Sequence, residues 1–275
     1  MALDSFNTLR FERDGAIGWL WLHRPDRLNA FTIEMWREMA ALGDTLVDDG
    51  DLRALVVIGE GRAFSSGIDT SVFTGGSEND IGVDSKPNTH ADPTVAGILR
   101  TQDAYTWLEE AAYPTIAAVR GYALGAGLQL ALACDIRIFG RGTQVGLLEH
   151  KYGILPDLGG TQRLPRLVGA GKAKELIWTA ARIDADEAYR IGLCERLVDG
   201  DDVETEARSL AETIAAQPPL AVRGAKRAVA ASSTTSVRDG LVVEAEMQAV
   251  CLRSKDMGEA IAAFVEQRPP QYTAS

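Results

Sequence analysis

The stretch IAAVRGYALGAGLQ, residues 116–129, decides the fold because it holds a strand, a turn and a helix in direct succession. Its first part, residues 116–119, is an apolar run of the kind found in strands buried on both faces. Glycines at 121, 125 and 127 then form a turn, and an apolar run that predicts a helix follows. This order is the repeating unit of α/β folds.

Segments on either side of this stretch continue the alternation of strands and helices. Hydrophobic patterning predicts strands at residues 16–23, 52–58, 115–119, 136–139 and 196–198. It predicts helices at residues 32–47, from about 95 to 111, and at 201–217, 220–231, 237–253 and 256–267. Asp184 and Glu187 have the spacing of a capping box and predict one more helix start. Residues 74–93 are rich in Gly, Ser, Asn, Asp and Pro and predict a loop.

These elements predict an α/β core over residues 1–200 and an α-helical C-terminal region over residues 201–275. The 275 residues include 46 % hydrophobic and 24 % charged side chains, which is the composition of an ordinary globular protein. The 39 acidic and 28 basic residues give a net charge of −11. Nucleic acid is therefore excluded as the main partner, since it requires a basic surface. A local basic cluster could still bind a small anion.

Cysteine and histidine patterns favour a protein without disulfides or metal. The three cysteines lack a Cys-x-x-Cys spacing, and the three histidines are dispersed along the chain. The first fifteen residues have neither an apolar core nor a basic leader, and no apolar stretch is long enough to span a bilayer. We therefore expect a soluble, cytoplasmic protein that binds neither nucleic acid nor membrane.

Two glycine-rich turns are candidates for an anion-binding site. The first N–H groups of the helix that follows Gly125 have no partner within that helix and lie at the positive end of its dipole. Glycine lets a ligand oxygen approach such N–H groups closely. The turn could therefore form half of an oxyanion hole, although glycines of this spacing also serve tight packing of a helix on a strand. Dinucleotide, phosphate-loop and nucleophile-elbow motifs are absent.

Five segments together resemble the crotonase, or enoyl-CoA hydratase/isomerase, superfamily in order and spacing. They are HRPDRLNAF (23–31), GEGRAFSSGIDTS (59–71), GYALGAGLQLALACDIRI (121–138), GILPDLGGTQRLPRLVG (153–169) and AFVEQRPPQY (263–272). The resemblance covers nearly the whole chain. It implies a spiral of ββα units, helices at the C-terminus that drive formation of a homotrimer or a dimer of trimers, and an acyl-CoA substrate. No metal or redox cofactor is implied.

The resemblance also implies which residues form the site. Backbone N–H groups of Ser66 and Ala126 match the two donors that bind the thioester oxygen in this family. Gln129 stands where hydratases carry a first glutamate, and an amide does not exchange protons but can orient water or substrate. Glu149 matches the second glutamate and is expected to act as a base if its surroundings raise its pKa.

Asp157 departs from the hydratase pattern, which usually has glycine at this position. A carboxylate eight residues after Glu149 resembles the dienoyl-CoA isomerases, in which two acids move a proton between distant carbons. That branch usually has an acid at position 129 as well. A dehalogenase-like branch also has an aspartate here, but with an aromatic residue in place of Glu149. A turn former or helix N-cap is the structural alternative for Asp157.

CoA carries phosphates, so the entrance to the site must be locally basic although the chain is acidic. The motifs that flank the ligand in this family contain Arg24, Arg27, Arg62 and Ala63, and the resemblance also places Tyr272 near the adenine. Arginine suits phosphate because of its fork of donors. Surface arginines without a ligand are the alternative interpretation.

We therefore predict an enoyl-CoA isomerase in which Glu149 and Asp157 move a proton while Ser66 and Ala126 stabilise the enolate. An enoyl-CoA hydratase, with Gln129 positioning water and Glu149 handling the proton, is the alternative. A third hypothesis is an acyl-CoA-binding protein without catalytic activity.

Overall fold

The computed structural model describes residues 6–74 and 90–275, and its centre is a six-stranded sheet. In their order across the sheet, the strands are β1 (Leu9–Asp14), β2 (Ile17–Leu22), β3 (Ala54–Gly59), β4 (Thr115–Val119), β6 (Ile136–Gly140) and β9 (Arg196–Val198). β1 pairs with β2 in the antiparallel sense, and all other neighbours are parallel. The carboxyl ends of the parallel strands therefore meet at one edge.

A second, small sheet lies beyond that edge. Its strands are β5 (Tyr122–Leu124), β7 (Gln144–Gly146) and β8 (Ile183–Asp184), in that order. Single parallel bridges join Ser65 to Ala123 and Phe31 to Ile68, so segments after β2 and β3 extend the same layer. β4 followed by β5, and β6 followed by β7, each add one strand to each sheet before the next helix begins.

The helices return the chain between strands and then form the C-terminal part. Their bounds are α1 (Ile33–Leu46), α2 (Ser71–Thr74), α3 (Pro93–Glu110), α4 (Ala126–Ala133), α5 (Gly160–Val168), α6 (Ala170–Thr179), α7 (Ala185–Arg190), α8 (Val203–Ala215), α9 (Pro219–Ala231), α10 (Val237–Arg253) and α11 (Lys255–Glu266). None of the helices in residues 6–74 and 90–275 is both long and apolar enough to cross a bilayer.

The core lies on both faces of the six-stranded sheet because successive side chains of a strand point to opposite faces. Leu55 and Val57 of β3 face a cluster that includes buried residues of α1 and α3. Val56 and Ile58 face a second cluster, which α8 covers with Val203, Ala207, Leu210 and Ala211. All six residues of β3 are buried, as a strand covered on both faces requires.

The predicted α/β core followed by helices is confirmed, and β4, β9 and α10 have the predicted bounds. The predicted helix start at Asp184 is also confirmed, since its side chain accepts from Glu187 N–H. β1 and the small sheet were not predicted. Within the predicted loop at 74–93, residues 75–89 lie outside the described part, and Pro93 already begins α3. The division at residue 200 stays a prediction, although α8 packs against the sheet.

Asn29 joins the turn after β2 to the turn after β3. It is fully buried, and its backbone is left-handed with φ of +53°. Its side-chain oxygen accepts from Arg24 N–H at 2.8 Å, and its amide nitrogen donates to the carbonyls of Glu60 and Ala63 at 2.9 and 2.8 Å. Asparagine tolerates this backbone conformation better than most residues. The two turns are thereby fixed relative to each other.

We expect Asn29→Ala to lower the free energy of unfolding by about 3 kcal/mol, since three groups, all of them buried or part-buried, lose their hydrogen-bond partner. Urea unfolding measures this change. Asn7→Ala is the matched control, because the Asn7 side chain donates to Glu34 on the surface and its loss should cost little. Equal effects of the two substitutions would contradict the role of Asn29.

Candidate active site

Two glycine turns contact each other at the carboxyl edge of the sheet. Gly67 follows β3 with φ of +102°, and Gly125 precedes α4 with φ of +49°. A Cβ atom on Gly67 would lie 2.9 Å from the carbonyl oxygen of Leu124, and one on Gly125 would lie 3.2 Å from Glu149 Oε1. Both positions therefore require glycine for backbone conformation and for space.

The N–H groups of the first turn correct the prediction for Ser66. Its N–H donates to the carbonyl of Leu28 at 2.9 Å, and Gly67 N–H donates to Ser65 Oγ at 3.2 Å. Both groups are already hydrogen-bonded, which contradicts the prediction that Ser66 donates to a ligand. Within the described residues, Ile68 N–H has no acceptor.

The pairing of Phe31 explains why Ile68 is the free donor. Phe31 N–H donates to Gly67 O at 2.7 Å, and Asp69 N–H donates to Phe31 O at 2.9 Å. Ile68 lies between these two bonded residues, so its N–H points away from Phe31. The sequence contains no signal for this register, because it depends on a contact between distant segments.

Ala126 lies where the second donor was predicted, at the first position of α4. Gly125 N–H is bonded to Gly146 O at 2.8 Å, and the first hydrogen bond of the helix runs from Gln129 N–H to Gly125 O at 3.0 Å. Ala126 N–H has no acceptor among the residues that the structure describes. The helix dipole makes such an N–H group a strong hydrogen-bond donor to an anion.

Gln129 and Glu149 are hydrogen-bonded in the interior, next to the Gly125 turn. Gly160 N–H donates to Gln129 Oε1 at 2.9 Å, so the amide nitrogen of Gln129 must face the other way. That nitrogen donates to Glu149 Oε1 at 2.8 Å. Oε1 of Glu149 is therefore the hydrogen-bond acceptor in this pair. Glu149 Oε2 is buried and has no hydrogen-bond partner in the described structure, which makes it the oxygen on which a proton would reside.

Burial raises the pKa of Glu149 to about 6, since the ionised form is poorly solvated there. The hydrogen bond from Gln129 opposes this shift, and repulsion by Asp157 adds to it. Only 4 % of the Glu149 residue surface is exposed. A carboxyl group with this pKa exchanges protons readily near neutral pH.

Asp157 is a second carboxyl group of the same site. It is half-buried, and this desolvation raises its pKa. Its backbone carbonyl accepts from Gln102 Nε2 at 2.6 Å. Asp157 also lines a cleft of about 310 Å³ between α3 and the start of α5. It does not act as the N-cap of α5, where Gly159 stands.

The sequence profile described as enoyl-CoA hydratase/isomerase matches residues 12–275. The chain belongs to the enoyl-CoA hydratase/isomerase family. A Mycobacterium tuberculosis protein named "Probable enoyl-CoA hydratase" is 38 % identical over 271 residues, which cover 98 % of this chain and 99 % of that protein. A short-chain-enoyl-CoA hydratase of Clostridium acetobutylicum is 34 % identical over 263 residues, covering 95 % and 96 %.

Solved structures show the same crotonase fold. The enoyl-CoA hydratase of Bacillus anthracis superposes with a TM-score of 0.88 at 31 % identity and covers 98 % of this chain and 100 % of its own. A Thermobifida fusca protein solved in complex with acetoacetyl-CoA has a TM-score of 0.80 at 38 % identity, covering 91 % and 96 %. The fold and family predicted from the five motifs are therefore confirmed.

The arginines predicted to bind CoA differ in their surroundings: Arg24 is paired within the protein, whereas Arg27 and Arg62 are exposed. Arg24 Nη2 is paired with Asp69 at 3.0 Å, and its Nη1 donates to the carbonyl of Ala30. The hydrogen bond from Ser71 N–H lowers the pKa of Asp69, and the pair with Arg24 lowers it further. The pair also holds the turn that contains Ile68. Arg27 and Arg62 are exposed and belong to the joined turns after β2 and β3. The carbonyl of Ala63, in the same turn, is bonded to Asn29.

Tyr272 does not lie with these residues in its own chain. Its carbonyl accepts from Arg53 Nη2 at 2.6 Å, and Arg53 immediately precedes β3. The predicted CoA motif follows β3, so the six residues of this strand, about 20 Å in length, separate the two. The placement of Tyr272 near the adenine of CoA stays a prediction.

We expect Glu149→Gln to stabilise the protein in a pH-dependent way. Because the pKa of Glu149 in the folded protein is about 6 and its ordinary value is 4.5, ionisation costs stability above pH 6. That cost disappears as the pH falls below 4.5, where both states bind the proton. The variant should be more stable by about 2 kcal/mol at pH 8 and equal to wild type near pH 4. Urea unfolding at both pH values measures this.

Glu212→Gln on the exposed side of α8 is the control, and it should change stability little at either pH. A gain of the same size at both pH values for Glu149→Gln would show that ionisation is not its cause.

Proposed function

We propose that this member of the family moves a carbon–carbon double bond along the acyl chain of an enoyl- or dienoyl-CoA. The observation that supports the proposal is the presence of two desolvated carboxyl groups, Glu149 beside the Gly125 turn and Asp157 in the cleft between α3 and the start of α5. Both have raised pKa values, and Asp157 is close enough to raise that of Glu149. Moving a double bond requires removal of a proton from one carbon and delivery of a proton to another.

In the proposed mechanism, the thioester oxygen binds between the N–H groups of Ala126 and Ile68. These donors bear no net charge and are held in place by the contact between the Gly67 and Gly125 turns. When the α-carbon loses a proton, its electron pair moves onto the thioester oxygen and forms an enolate. One backbone donor of this kind contributes about 2.7–4 kcal/mol to the stability of such a transition state.

The two carboxyl groups then complete the reaction with the proton count conserved. One carboxylate accepts the proton from the α-carbon, and the other group, in its acid form, donates a proton to C4 of an enoyl chain or C6 of a dienoyl chain. The enolate pair returns to form the shifted double bond. Repulsion between the two groups favours a state in which one of them is protonated, which suits this exchange.

Gln129 serves as a positioning residue in this mechanism. Its amide holds Glu149 Oε1 and leaves Oε2 as the atom that exchanges the proton. A glutamate at this position would bring a third carboxyl group into the site.

Hydration of a 2-enoyl-CoA is the second candidate function, and the names of the M. tuberculosis and C. acetobutylicum relatives favour it. In that reaction, Glu149 would take a proton from water as the oxygen adds to C3, and the same group would protonate C2. Asp157 would have no part in it. Binding of acyl-CoA without turnover is the third outcome.

We propose that Arg27 and Arg62 bind the CoA phosphates.

We also propose that the chain forms a homotrimer or a dimer of trimers through its C-terminal helices. Exposed apolar side chains support this assembly; they include Val237 at 82 %, Phe264 at 85 % and Val265 at 74 % exposure. Apolar surface of this extent favours contact with another chain.

The decisive experiment offers 2-enoyl-CoA, 3-enoyl-CoA and 3,5-dienoyl-CoA separately and follows ultraviolet absorbance. We expect a new conjugated band from the 3-enoyl or dienoyl substrate. Glu149→Gln should lower turnover by about 10²–10⁴-fold. Asp157→Asn should abolish isomerisation and spare any hydration, while Gln129→Glu should raise hydration. Circular dichroism confirms that each variant folds. Isomerisation that survives in Asp157→Asn would overturn the two-acid mechanism, and loss of the 2-enoyl band alone would identify a hydratase.

For CoA binding, we expect Arg27→Ala and Arg62→Ala to weaken acyl-CoA affinity more at low salt than at high salt. Exposed charge contacts are screened by salt. Titration calorimetry at two ionic strengths measures the difference, with Arg238→Ala in α10 as the control. Losses independent of salt would indicate that the two arginines act through packing.

A further inference from the structure

One face of α3 contacts three separate parts of the site. Gln102, Tyr105 and Glu109 are spaced three and four residues apart, so they lie on the same side of the helix. Tyr105 contacts the start of α4, and Gln102 contacts Asp157. Glu109 binds Arg163, which in turn holds the segment that follows Asp157.

Tyr105 links the two turns that carry the free N–H groups. Its side chain is fully buried, and its hydroxyl donates to Ala126 O at 3.1 Å while accepting from Trp36 Nε1 at 3.2 Å. Its ring also packs edge-on against Phe31, with 5.6 Å between ring centroids. Since the backbone of Phe31 is bonded to Gly67 and Asp69, Tyr105 contacts the support of Ile68 as well as Ala126.

Gln102 and Glu109 fix the segment that carries the second acid. Gln102 Nε2 donates to the carbonyl of Asp157 itself at 2.6 Å. Glu109 accepts two hydrogen bonds from Arg163, at 2.8 and 2.7 Å, and Arg163 Nη1 donates to Leu158 O at 2.9 Å. The carbonyl of Asp157 is therefore bonded directly to α3, and that of Leu158 is linked to α3 through Arg163.

We propose that α3 sets the distance between the two reacting ends of the substrate. Tyr105 positions the donors that hold the thioester oxygen, and Gln102 positions the acid that acts further along the acyl chain. Tyr105 is fully buried and Gln102 acts through the carbonyl of Asp157, so we assign both as positioning residues. This inference rests on the proposed isomerase function, and it predicts that the two contacts affect different steps of the reaction.

Tyr105→Phe tests the thioester end with acetoacetyl-CoA as the probe. A site that stabilises an enolate raises the enolate absorbance of bound acetoacetyl-CoA. We expect the variant to lower this enolate-to-keto ratio and kcat by about 3- to 10-fold, the effect of one hydrogen bond, with KM little changed. Tyr113→Phe is the matched control, because Tyr113 is equally buried and donates to Leu46 O away from the site.

Gln102→Met tests the distal end, since methionine has a similar length but no donor. We expect isomerisation to fall by about 3- to 10-fold while the enolate ratio of bound acetoacetyl-CoA stays at the wild-type value. Gln217→Met, which removes a hydrogen bond from a glutamine just after α8 to the carbonyl of Thr213, is the control and should change neither quantity. Thermal unfolding of all four variants establishes that they are folded.

The two halves of the proposal fail separately. An unchanged enolate ratio in Tyr105→Phe, or an equal decrease in Tyr113→Phe, overturns the role of Tyr105 whatever reaction the enzyme performs. A decrease of the enolate ratio in Gln102→Met overturns the division between the two ends. Absence of isomerisation in the wild type overturns the proposed function and the role of Gln102, while the acetoacetyl-CoA measurement still decides the role of Tyr105.

Discussion

The contact between two backbone turns, one around Gly67 and one around Gly125, is the constraint on which the site depends. The turns approach so closely that a single added carbon at Gly67 would meet the carbonyl of Leu124. Everything that supports the turns, including Asn29, the Arg24–Asp69 pair and Tyr105, keeps that approach in place. These supports therefore hold main-chain atoms in place rather than a reactive side chain.

The sequence predicted those parts of the fold that have a regular pattern. β4 and α10 have their predicted bounds because their side chains follow the periodicity of a buried strand and of a helix. Strands of two or three residues contain few side chains for a periodic signal, so their prediction is uneven: β9 was predicted, whereas β5, β7 and β8 were not. They form because each finds hydrogen bonds in a strand distant in sequence, parallel between β5 and β7 and antiparallel between β7 and β8.

For the site, the sequence predicted which residues take part but not all of their hydrogen bonds. The resemblance indicated Gln129, Glu149 and Asp157, and the structure places Gln129 and Glu149 in contact and Asp157 close enough to affect the pKa of Glu149. The resemblance did not indicate which N–H group of the first turn is free, because the N–H group of Ser66 donates to the carbonyl of Leu28, a residue distant in sequence. The orientation of the Gln129 amide could not be predicted from the sequence either, since it depends on the hydrogen bond from Gly160 N–H. Register and amide orientation are decided by partners distant in sequence, and a local pattern does not contain them.

The buried Glu149 Oε2 has a consequence for the fate of hydrogen atoms. This atom is shielded from solvent and has no hydrogen-bond partner within the described structure through which a proton could leave. In the proposed mechanism, a proton taken up there is retained for as long as the enolate persists. Because the other carboxyl group supplies the proton that the product gains, a deuterium label removed from the α-carbon would not enter the product of the same turnover. The label would stay on Glu149 until the enolate has collapsed, and only then pass to solvent or to a later substrate.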